Sequence, residues 1–519
     1  MNSDTKTLEA NESAPPEDAD NGTVEGLPNT MKRSLNRRHI NMISLAGMIG
    51  TGLFLASGQA LAVAGPVGAL FGFTFMGFIT AEVALTSGEL SAFMPVSGGF
   101  VRHATHFIQP AFGAATGWNY WYMMAITGPA EISAAATLIN FWEHDINAAV
   151  WYSVFIVLLA IMCFCGARVY GESEVFFSTL KILLIVGLIL AGLIVDLGGS
   201  PSHHRIGFQY WKNPGPFHAY LVDGNTGKFL GFWSTLISAA YSYGNIQVVI
   251  PDAMRMTFWR ILVFYIISIF IVGLLVPYND PNLGTSTGTA QQSPFVIAFN
   301  RVGIKVLPSI INAVLVTSAF SCGAACIFLA SRVLYGLAEE GQAPKFFLKT
   351  NRLGSPYLAV AASLIFLPLV YLSLGSNSSV VFGWFVNIAT IAAMISWFII
   401  EVTYLRFFYA LKVQGISRDR LPYKSPFQPY AAWANAFVLA CVILFTGYSV
   451  FLNGHWSVDS FLTSYIGIPI FLVLWAGAWA YYRTGFVSLH AMDLSEIETI
   501  EREKLGHHDE KLPWYRVLF

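Results

Sequence analysis

Two ionisable side chains lie inside long apolar stretches of this sequence. Glu131 is deep within the stretch 112–141, and Lys181 lies near the start of the stretch 175–197. Ionisable groups in apolar spans mark substrate sites and proton pathways, because leaving water is costly for them. A lysine near the end of a span can also extend its amine to the membrane interface. Our sharper hypothesis for Lys181 is a desolvated amine that exchanges a proton or occupies a cation site.

A run of glycines interrupts the first apolar stretch. Gly47, Gly50 and Gly52 fall within six residues, and each glycine costs a helix interior about 1 kcal/mol relative to alanine. Close packing of two helices is one explanation, and Gly47 suits it. Gly50-Thr51-Gly52 better suits an unwound point, where the free backbone N–H groups of a half-helix can bind a carboxylate.

A second break falls in the sixth apolar stretch, within the run Tyr241-Ser-Tyr-Gly-Asn-Ile-Gln247. Its Gly-Asn pair is a poor helix centre. Interrupted spans at positions one and six are what an inverted repeat of five plus five helices predicts. In such proteins the paired breaks line one binding site near the middle of the membrane.

The composition indicates which class of protein carries these groups. The chain has 519 residues, of which 55% are hydrophobic and 11% charged, against about 25% charged in soluble domains. Its mean hydropathy is +0.57. These values exclude a soluble enzyme and a disordered scaffold. The net charge of −1 offers no basic surface for nucleic acid. A polytopic membrane protein remains.

Apolar runs of about 20 residues predict twelve transmembrane helices in an all-α fold. We place them near 40–64, 67–93, 112–141, 148–166, 175–197, 229–250, 258–277, 306–330, 357–374, 380–405, 431–452 and 461–482. Residues 1–34 are predicted to be a disordered tail, 35–483 the helical domain and 484–519 a second tail. The acidic first 31 residues lack an apolar core, so we expect no cleavable signal peptide. Ser495 and Glu498 form a capping-box pattern ahead of a short helix.

Lysine and arginine placement predicts the orientation. With both termini in the cytoplasm, all but six of the 29 basic residues lie on the cytoplasmic side, as the positive-inside bias requires. The six exceptions are Lys181 within its span and the outer residues Arg205, Lys212, Lys228, Arg301 and Lys305.

Signatures of enzymes and metal sites are missing from the sequence. It contains no HExxH, GxSxG or P-loop motif. His103 and His106 have no other metal-ligating residues near them in the sequence. The five cysteines lie in apolar stretches without a neighbouring histidine or carboxylate, which favours packing over a disulfide or a metal site. We therefore expect no enzyme, no metal and no cofactor. The remaining polar residues in spans are interpreted as interhelical or gating contacts (Glu82, Glu89, Glu401) or as cavity-lining candidates (Ser318, Ser321, Asn387, Thr390).

Several blocks between about Leu35 and Tyr482, in the same order, resemble the fungal amino acid permeases of the amino acid–polyamine–organocation superfamily. The blocks are Arg37-Arg38-His39-Ile40, Gly47-Met-Ile-Gly-Thr-Gly-Leu-Phe54, Gly88-Glu-Leu90, Pro95-Val-Ser-Gly-Gly-Phe100, Gly117-Trp-Asn-Tyr120, Pro129-Ala-Glu-Ile132, Phe258-Trp-Arg-Ile261, Pro277-Tyr-Asn-Asp280, Ser331-Arg332 and Tyr335-Gly-Leu-Ala338.

The resemblance implies a leucine-transporter-type fold, in which two helices follow the five-plus-five repeat. It also implies amino acid uptake across the plasma membrane, driven by the proton gradient without a cofactor. Carried over by position, the substrate α-carboxylate would meet the backbone of Gly50, Thr51 and Gly52. The α-amino group would meet carbonyls near Ile49 and around Tyr241 to Tyr243. Side-chain selectivity would come from Ser242, Tyr243, Asn245 and Glu131.

For Lys181 the resemblance implies a role in proton coupling, with Glu131. It is similar to the lysine that replaces a sodium ion in proton-coupled relatives. The implied partners are the amino acid substrate and membrane lipids. Trafficking or ubiquitination machinery could bind the cytoplasmic tails, and no nucleic acid is implied.

The chain departs from the family pattern after the break in span 6. Family members usually continue with a second half-helix and a cytoplasmic segment, whereas here Val248-Val249 runs directly into Ile250-Pro251. About a dozen residues are missing by comparison, and many relatives carry Glu at the position of Gln247. Either the chain is a mis-spliced or engineered form, or residues 250–257 supply the second half-helix and pull span 7 inward.

Four alternatives to the symporter stay open at this point. One is a transport-impaired variant, and a second is a non-transporting nutrient sensor on the same fold. A third is a related carrier of choline, polyamine or 4-aminobutyrate. An integral membrane enzyme is the fourth, and the chain lacks the clustered His, Asp or Cys residues that it would need.

Overall fold

The computed structural model describes Met42 and residues 50–96, 98–142, 145–201, 203–244, 251–283, 293–375 and 378–498. Within these ranges the regular structure is entirely helical, which confirms the predicted all-α class. The α-helices are α1 (Ser57–Phe93), α2 (Phe100–Phe107), α3 (Pro110–Ile139), α4 (Ala148–Phe164), α5 (Ala167–Asp196), α6 (Gln209–Lys212), α7 (Gly224–Ser242), α8 (Pro251–Leu275), α9 (Pro294–Arg301), α10 (Leu307–Glu339), α11 (Tyr357–Leu364), α12 (Ser378–Val413), α13 (Tyr430–Phe445), α14 (Val458–Tyr465) and α15 (Gly467–Tyr482).

Shorter helical elements complete the described part of the chain. A π-helical turn, Gly52–Ala56, leads directly into α1. The 3-10 helices are Lys345–Leu348, Leu367–Leu374, Arg418–Arg420 and Tyr448–Phe451.

Five described helical segments are long and apolar enough to cross a membrane: Gly52–Phe93, Ala167–Asp196, Leu307–Glu339, Tyr357–Leu374 and Val380–Val413. A sixth forms if α14 and α15, which are bent by 44° at their junction, are taken as one span. Ala148–Phe164, Leu262–Leu275 and Tyr430–Phe445 are shorter apolar helices. The protein is therefore a multi-pass membrane protein, and twelve spans remain a prediction.

The predicted spans 1 and 2 are joined within α1 by a sharp bend at Gly65. This residue has φ +75° and ψ 174°, a conformation that L side chains rarely adopt. A Cβ atom at Gly65 would lie 2.9 Å from the backbone nitrogen of His218. Glycine is therefore required both by the left-handed backbone and by the close approach of another segment, and Pro66 starts the next span.

Small residues bring the central helices close together. The most extensive helix pairs in the described structure are α3 with α10 and α12, and α1 with α7 and α8. On α3, a Cβ atom at Gly117 would lie 2.5 Å from Leu337, and one at Gly128 would lie 2.7 Å from Leu367. Such approaches let backbones pack tightly in a membrane, where burial of apolar surface gives little driving force. They fix α3 at the centre of the bundle.

The chain between predicted spans 6 and 7 is short in the structure as well. Helix α7 ends at Ser242, and the N–H of Gly244 donates to the carbonyl of Tyr241 at 3.1 Å in a closing turn. Helix α8 begins at Pro251 and continues unbroken to Leu275. Residues 251–257 are thus the first turns of α8 and form no separate half-helix, so this helix starts seven residues before the predicted span.

The described part of the C-terminal segment, residues 484–498, packs against the ends of several helices. Met492, Leu494 and Ile497 are buried. Gln414 on α12 donates to the carbonyls of Leu489 and Met492, at 3.0 and 2.8 Å. A helical turn begins after Ser495, as the capping pattern predicts.

Candidate functional site

A cavity lies where the π-helical turn meets α3, α7, α10 and α12. Its free volume is about 30 Å³, the share of roughly one water molecule in the liquid, so in this structure it is much smaller than typical small-molecule sites. Its walls combine apolar side chains with a few polar groups and exposed backbone. The lining residues are Gly50, Gly52, Met123, Thr127, Glu131, Ala240, Tyr241, Ser242, Gly244, Cys322, Ala389, Thr390 and Ala393.

The two predicted helix breaks meet at this cavity. Gly50 forms a bend, and helical structure starts directly after it with the π-helical turn. A Cβ atom at Gly52 would lie 2.7 Å from the Cα atom of Ser242, the last residue of α7. Glycine at position 52 therefore allows the start of the π-helical turn to touch the end of α7. π-Helical turns of this kind are frequent at functional sites.

Glu131 connects three elements through one carboxylate oxygen. The hydroxyl of Thr51 donates to Glu131 Oε1 at 2.9 Å, and the hydroxyl of Tyr241 donates to the same atom at 3.0 Å. The other oxygen, Oε2, is buried and has no hydrogen-bond partner among the described residues. The thiol of Cys322 lies beside this carboxyl group. The site therefore offers one buried acidic group whose second oxygen is available to a proton or a ligand.

Lys181 lies outside the lining of the cavity. It is fully buried on α5, and it interacts electrostatically with Glu131 and with Glu174. The adjacent turn of α5 contacts the start of the chain, where the hydroxyl of Ser178 donates to the carbonyl of Met42 at 2.8 Å. Lys181 is thus buried within the helical bundle, within electrostatic reach of the cavity carboxyl group.

The site residues suggested by the sequence do not all reach the cavity. Gly50, Thr51, Gly52, Glu131, Tyr241 and Ser242 are brought together there, whereas Ile49 and Asn245 lie outside the described residues. The Ser242 hydroxyl donates to the Ser238 carbonyl of its own helix at 2.8 Å. What Ser242 presents to the neighbouring span is chiefly backbone.

Tyr243 faces away from the described cavity. Its hydroxyl donates to the carbonyl of Phe73 at 3.2 Å, and its ring packs against Tyr265 at a centroid distance of 5.0 Å. This placement makes it a packing residue between α7, α1 and α8 in this structure. Tyr243 lies outside the lining of the described cavity, and its role in shaping a side-chain pocket stays a prediction.

Helical spacing could have identified further lining residues. Met123 and Thr127 precede Glu131 by eight and four residues on α3, which puts all three on one face. Thr390 and Ala393 share a face of α12 in the same way, and Thr390 was among the predicted cavity residues. Cys322 was interpreted as a packing residue, and no local pattern shows that it faces a carboxyl group.

A comparison with protein-family models matches residues 39–491 to a family described as amino acid permease. The chain belongs to this family. It is therefore an amino acid transporter and not an enzyme.

Curated relatives of the permease carry several different substrate names. It is 39% identical to the proline-specific permease of Emericella nidulans, over 88% of this chain and 86% of the relative. It is 38% identical to the lysine-specific permease of Saccharomyces cerevisiae, over 91% and 80%. It is 35% identical to the dicarboxylic amino acid permease of the same yeast, over 91% and 81%.

In this permease the other buried carboxyl groups form interhelical contacts, as the sequence suggests. Glu89 is fully buried on α1 and pairs with Arg418, whose Nη2 lies 2.8 Å from Glu89 Oε2. The same oxygen accepts hydrogen bonds from the Tyr404 hydroxyl at 2.9 Å and from the Ser425 backbone N–H at 2.7 Å. This cluster ties the segment after α12 to the end of α1.

Glu401 on α12 is also fully buried and accepts hydrogen bonds from other helices. Its Oε1 accepts hydrogen bonds from Asn435 at 2.8 Å and from Thr86 at 3.3 Å. Glu82, one turn before Thr86, pairs with Gln428. Within the described ranges there is no group of three metal-ligating side chains, and all five cysteines are free thiols.

Proposed function

We propose that this permease takes up amino acids across the plasma membrane in symport with protons, by alternating access. One observation carries the proposal: the buried Glu131 carboxyl group joins Thr51, at the predicted break of span 1, to Tyr241, at the predicted break of span 6, beside a small cavity. The supporting architecture is a leucine-transporter-type fold of twelve spans with both termini in the cytoplasm. There the tails are within reach of trafficking and ubiquitination machinery.

The backbone at the cavity suits both ends of an amino acid. The first turn after Gly50 begins a helix, whose N-terminal N–H groups carry partial positive charge and attract a carboxylate. The last turn of α7, at Tyr241 and Ser242, presents the partial negative charge of a helix C-terminus, which attracts an ammonium group. The substrate would therefore lie with its α-carboxylate on span 1 and its α-amino group on span 6 and Glu131.

The lining favours substrates with neutral side chains. Its side-chain walls come from Met123, Ala389, Ala393 and the hydroxyls of two threonines. The one carboxyl group in the described lining is already bonded to Thr51 and Tyr241. Uptake of labelled proline, lysine and aspartate tests this preference, and we expect proline to be taken up best. Competition by amines that lack a carboxylate would instead favour a choline or polyamine carrier.

Proton coupling follows from the electrostatics of Glu131. As a carboxylate it is stabilised by two hydroxyl donors and by the electrostatic influence of Lys181. A proton on Oε2 removes the negative charge and weakens both contacts to the broken spans. Because those contacts link span 3 to spans 1 and 6, protonation biases the equilibrium between outward and inward arrangements.

The proposal is tested by labelled amino acid uptake in a permease-deficient yeast. We expect uptake to rise on acidification and to collapse with a protonophore. Lys181→Met should abolish coupled uptake, and Lys212→Met, a change at an exposed lysine, should not. Uptake that ignores the proton gradient would refute symport, and unchanged accumulation by Lys181→Met would show that Lys181 has no part in coupling.

A second candidate is a transport-impaired form on the same fold. It is favoured by the small number of residues, eight, between Ser242, where α7 ends, and Pro251, where α8 begins. A transporter needs a second half of span 6 that can move against span 1. Substrate-induced thermal stabilisation of the purified protein without any uptake would favour this candidate. Uptake above that of empty cells would exclude it.

A further inference from the structure

A second carboxyl group is buried near the start of α5. Glu174 has no exposed surface. The hydroxyl of Ser321 on α10 donates to Glu174 Oε1 at 2.5 Å, and Glu174 Oε2 is buried without a hydrogen-bond partner among the described residues. A single hydroxyl is weak support for a carboxylate, since burying a charge costs several kcal/mol unless it is compensated. Such a group needs an explanation beyond packing.

Glu174 is connected to the cavity through Lys181. The two residues are seven positions apart on α5, which is two helical turns on one face and about 10 Å along the axis. Lys181 interacts electrostatically with Glu174 and with Glu131. Helix α10 provides a parallel connection, because Ser321 bonds to Glu174 and the next residue, Cys322, lies beside Glu131. The three ionisable groups thus form a series from the cavity toward the start of α5.

Few other titratable groups face Glu174 in the described structure. On its own helix these are Lys181 and the phenol of Tyr170, one turn earlier. The neighbouring α10 contributes the hydroxyl of Ser321. Among the described residues, Lys181 is therefore the cation that acts on the buried Glu174 carboxyl group.

We propose that Glu174 receives the transported proton from Glu131, past Lys181, and releases it on the cytoplasmic side. This inference rests on the proposed symport. The Glu131 carboxylic acid becomes a carboxylate, and the Glu174 carboxylate becomes a carboxylic acid. One proton moves from Glu131 to Glu174, and no other reactant is needed. In the inward-open state, water at the start of α5 takes the proton from Glu174.

The test uses purified full-length protein in proteoliposomes, with labelled proline or whichever amino acid the uptake panel favours. An imposed gradient of one pH unit gives a limiting accumulation of about tenfold for one proton per substrate, because one unit is a factor of ten in proton activity. We expect Glu174→Gln to lose this accumulation while keeping exchange of internal for external substrate, which needs no net proton release.

Two further variants keep the test decisive. Glu172→Gln alters an exposed carboxyl group two residues away and should accumulate substrate like the wild type. Glu174→Asp keeps a titratable group and should retain coupled accumulation, in part at least.

The outcomes separate this inference from the symport on which it rests. A coupled wild type whose Glu174→Gln variant still accumulates substrate overturns the role of Glu174 alone. Loss of exchange together with accumulation in Glu174→Gln makes the residue structural and also overturns the inference. A wild type that transports without any dependence on the gradient overturns the symport and this inference together.

Discussion

Gly52→Ala tests the contact between the two broken spans. The new Cβ atom would lie 2.7 Å from Ser242 Cα, 2.8 Å from its Oγ and 3.0 Å from its backbone nitrogen. Carbon atoms in contact prefer about 3.5–4.0 Å, so the π-helical turn and α7 must separate by close to 1 Å. Overpacking of this kind costs about 1–3 kcal/mol, against a gain of about 0.5–1 kcal/mol for replacing a helical glycine. We expect a net loss of about 1–2 kcal/mol.

The effect on uptake should exceed the effect on stability. Glu131 accepts hydrogen bonds from both sides of this contact, at 2.9 Å from Thr51 and 3.0 Å from Tyr241. A separation near 1 Å breaks one of them. A hydrogen bond to a charged group is worth about 1.5–3 kcal/mol, which corresponds to a fall in uptake of roughly 10- to 150-fold.

The assay combines labelled uptake with thermal melting of the detergent-solubilised protein. Gly187→Ala on α5 is the matched control, since a Cβ atom there meets no atom within 4 Å, and it should be neutral or stabilising. Ser242→Gly should not rescue Gly52→Ala, because two of the three close contacts are to backbone atoms. A Gly52→Ala protein with wild-type melting and uptake would refute the close approach of spans 1 and 6.

Three further predictions follow from local contacts. A methyl group at Gly50 meets only the side chain of Cys322, at 2.9 Å from Sγ, among contacts under 3 Å, so Cys322→Ala should restore uptake to Gly50→Ala; an inactive double variant would contradict this. Arg418→Ala leaves the buried Glu89 carboxylate without its cation, so the free energy of unfolding should fall by about 3–5 kcal/mol in thermal melting. A loss below about 1 kcal/mol would contradict this prediction. His103 lies outside the spans, and burial lowers its pKa to about 4, so the unfolded chain takes up a proton at a higher pH than the folded protein does. Acidification from pH 7 to 5 should therefore lower the free energy of unfolding of the wild type by about 2 kcal/mol more than that of His103→Gln. Equal losses in the two proteins would contradict this prediction.

The site residues that the sequence predicts are those whose residue type is energetically unfavourable at its position in an apolar helix. Glycines at 50 and 52 stand out because a helix centre disfavours them, and the structure uses them where two spans touch. Glu131 stands out because an apolar span disfavours a carboxylate, and it is the group that joins spans 1, 3 and 6. Backbone cost and charge cost are properties of single positions, so one sequence suffices to find them.

The sequence alone does not predict which way a side chain points or which helix packs against it. Tyr243 follows Ser242 immediately, yet its ring points between α1 and α8, because the helix ends there and the rotation of the next residue is set by the turn. In the sequence, Glu174 is a charged residue near the end of a predicted span. Only the packing of α10 shows that it is buried against Ser321. The early start of α8 was an alternative that sequence patterns could not decide.

Amino acid-driven proton entry tests the central claim most directly. Purified protein is reconstituted into liposomes that contain a pH-sensitive dye, with no imposed gradient, and proline is added outside. We expect acidification of the interior with wild-type protein and none with Glu131→Gln, which keeps the shape of the side chain and its acceptor oxygen for Thr51 and Tyr241. Proline entry without acidification by the wild type, or unchanged acidification by Glu131→Gln, would contradict this expectation.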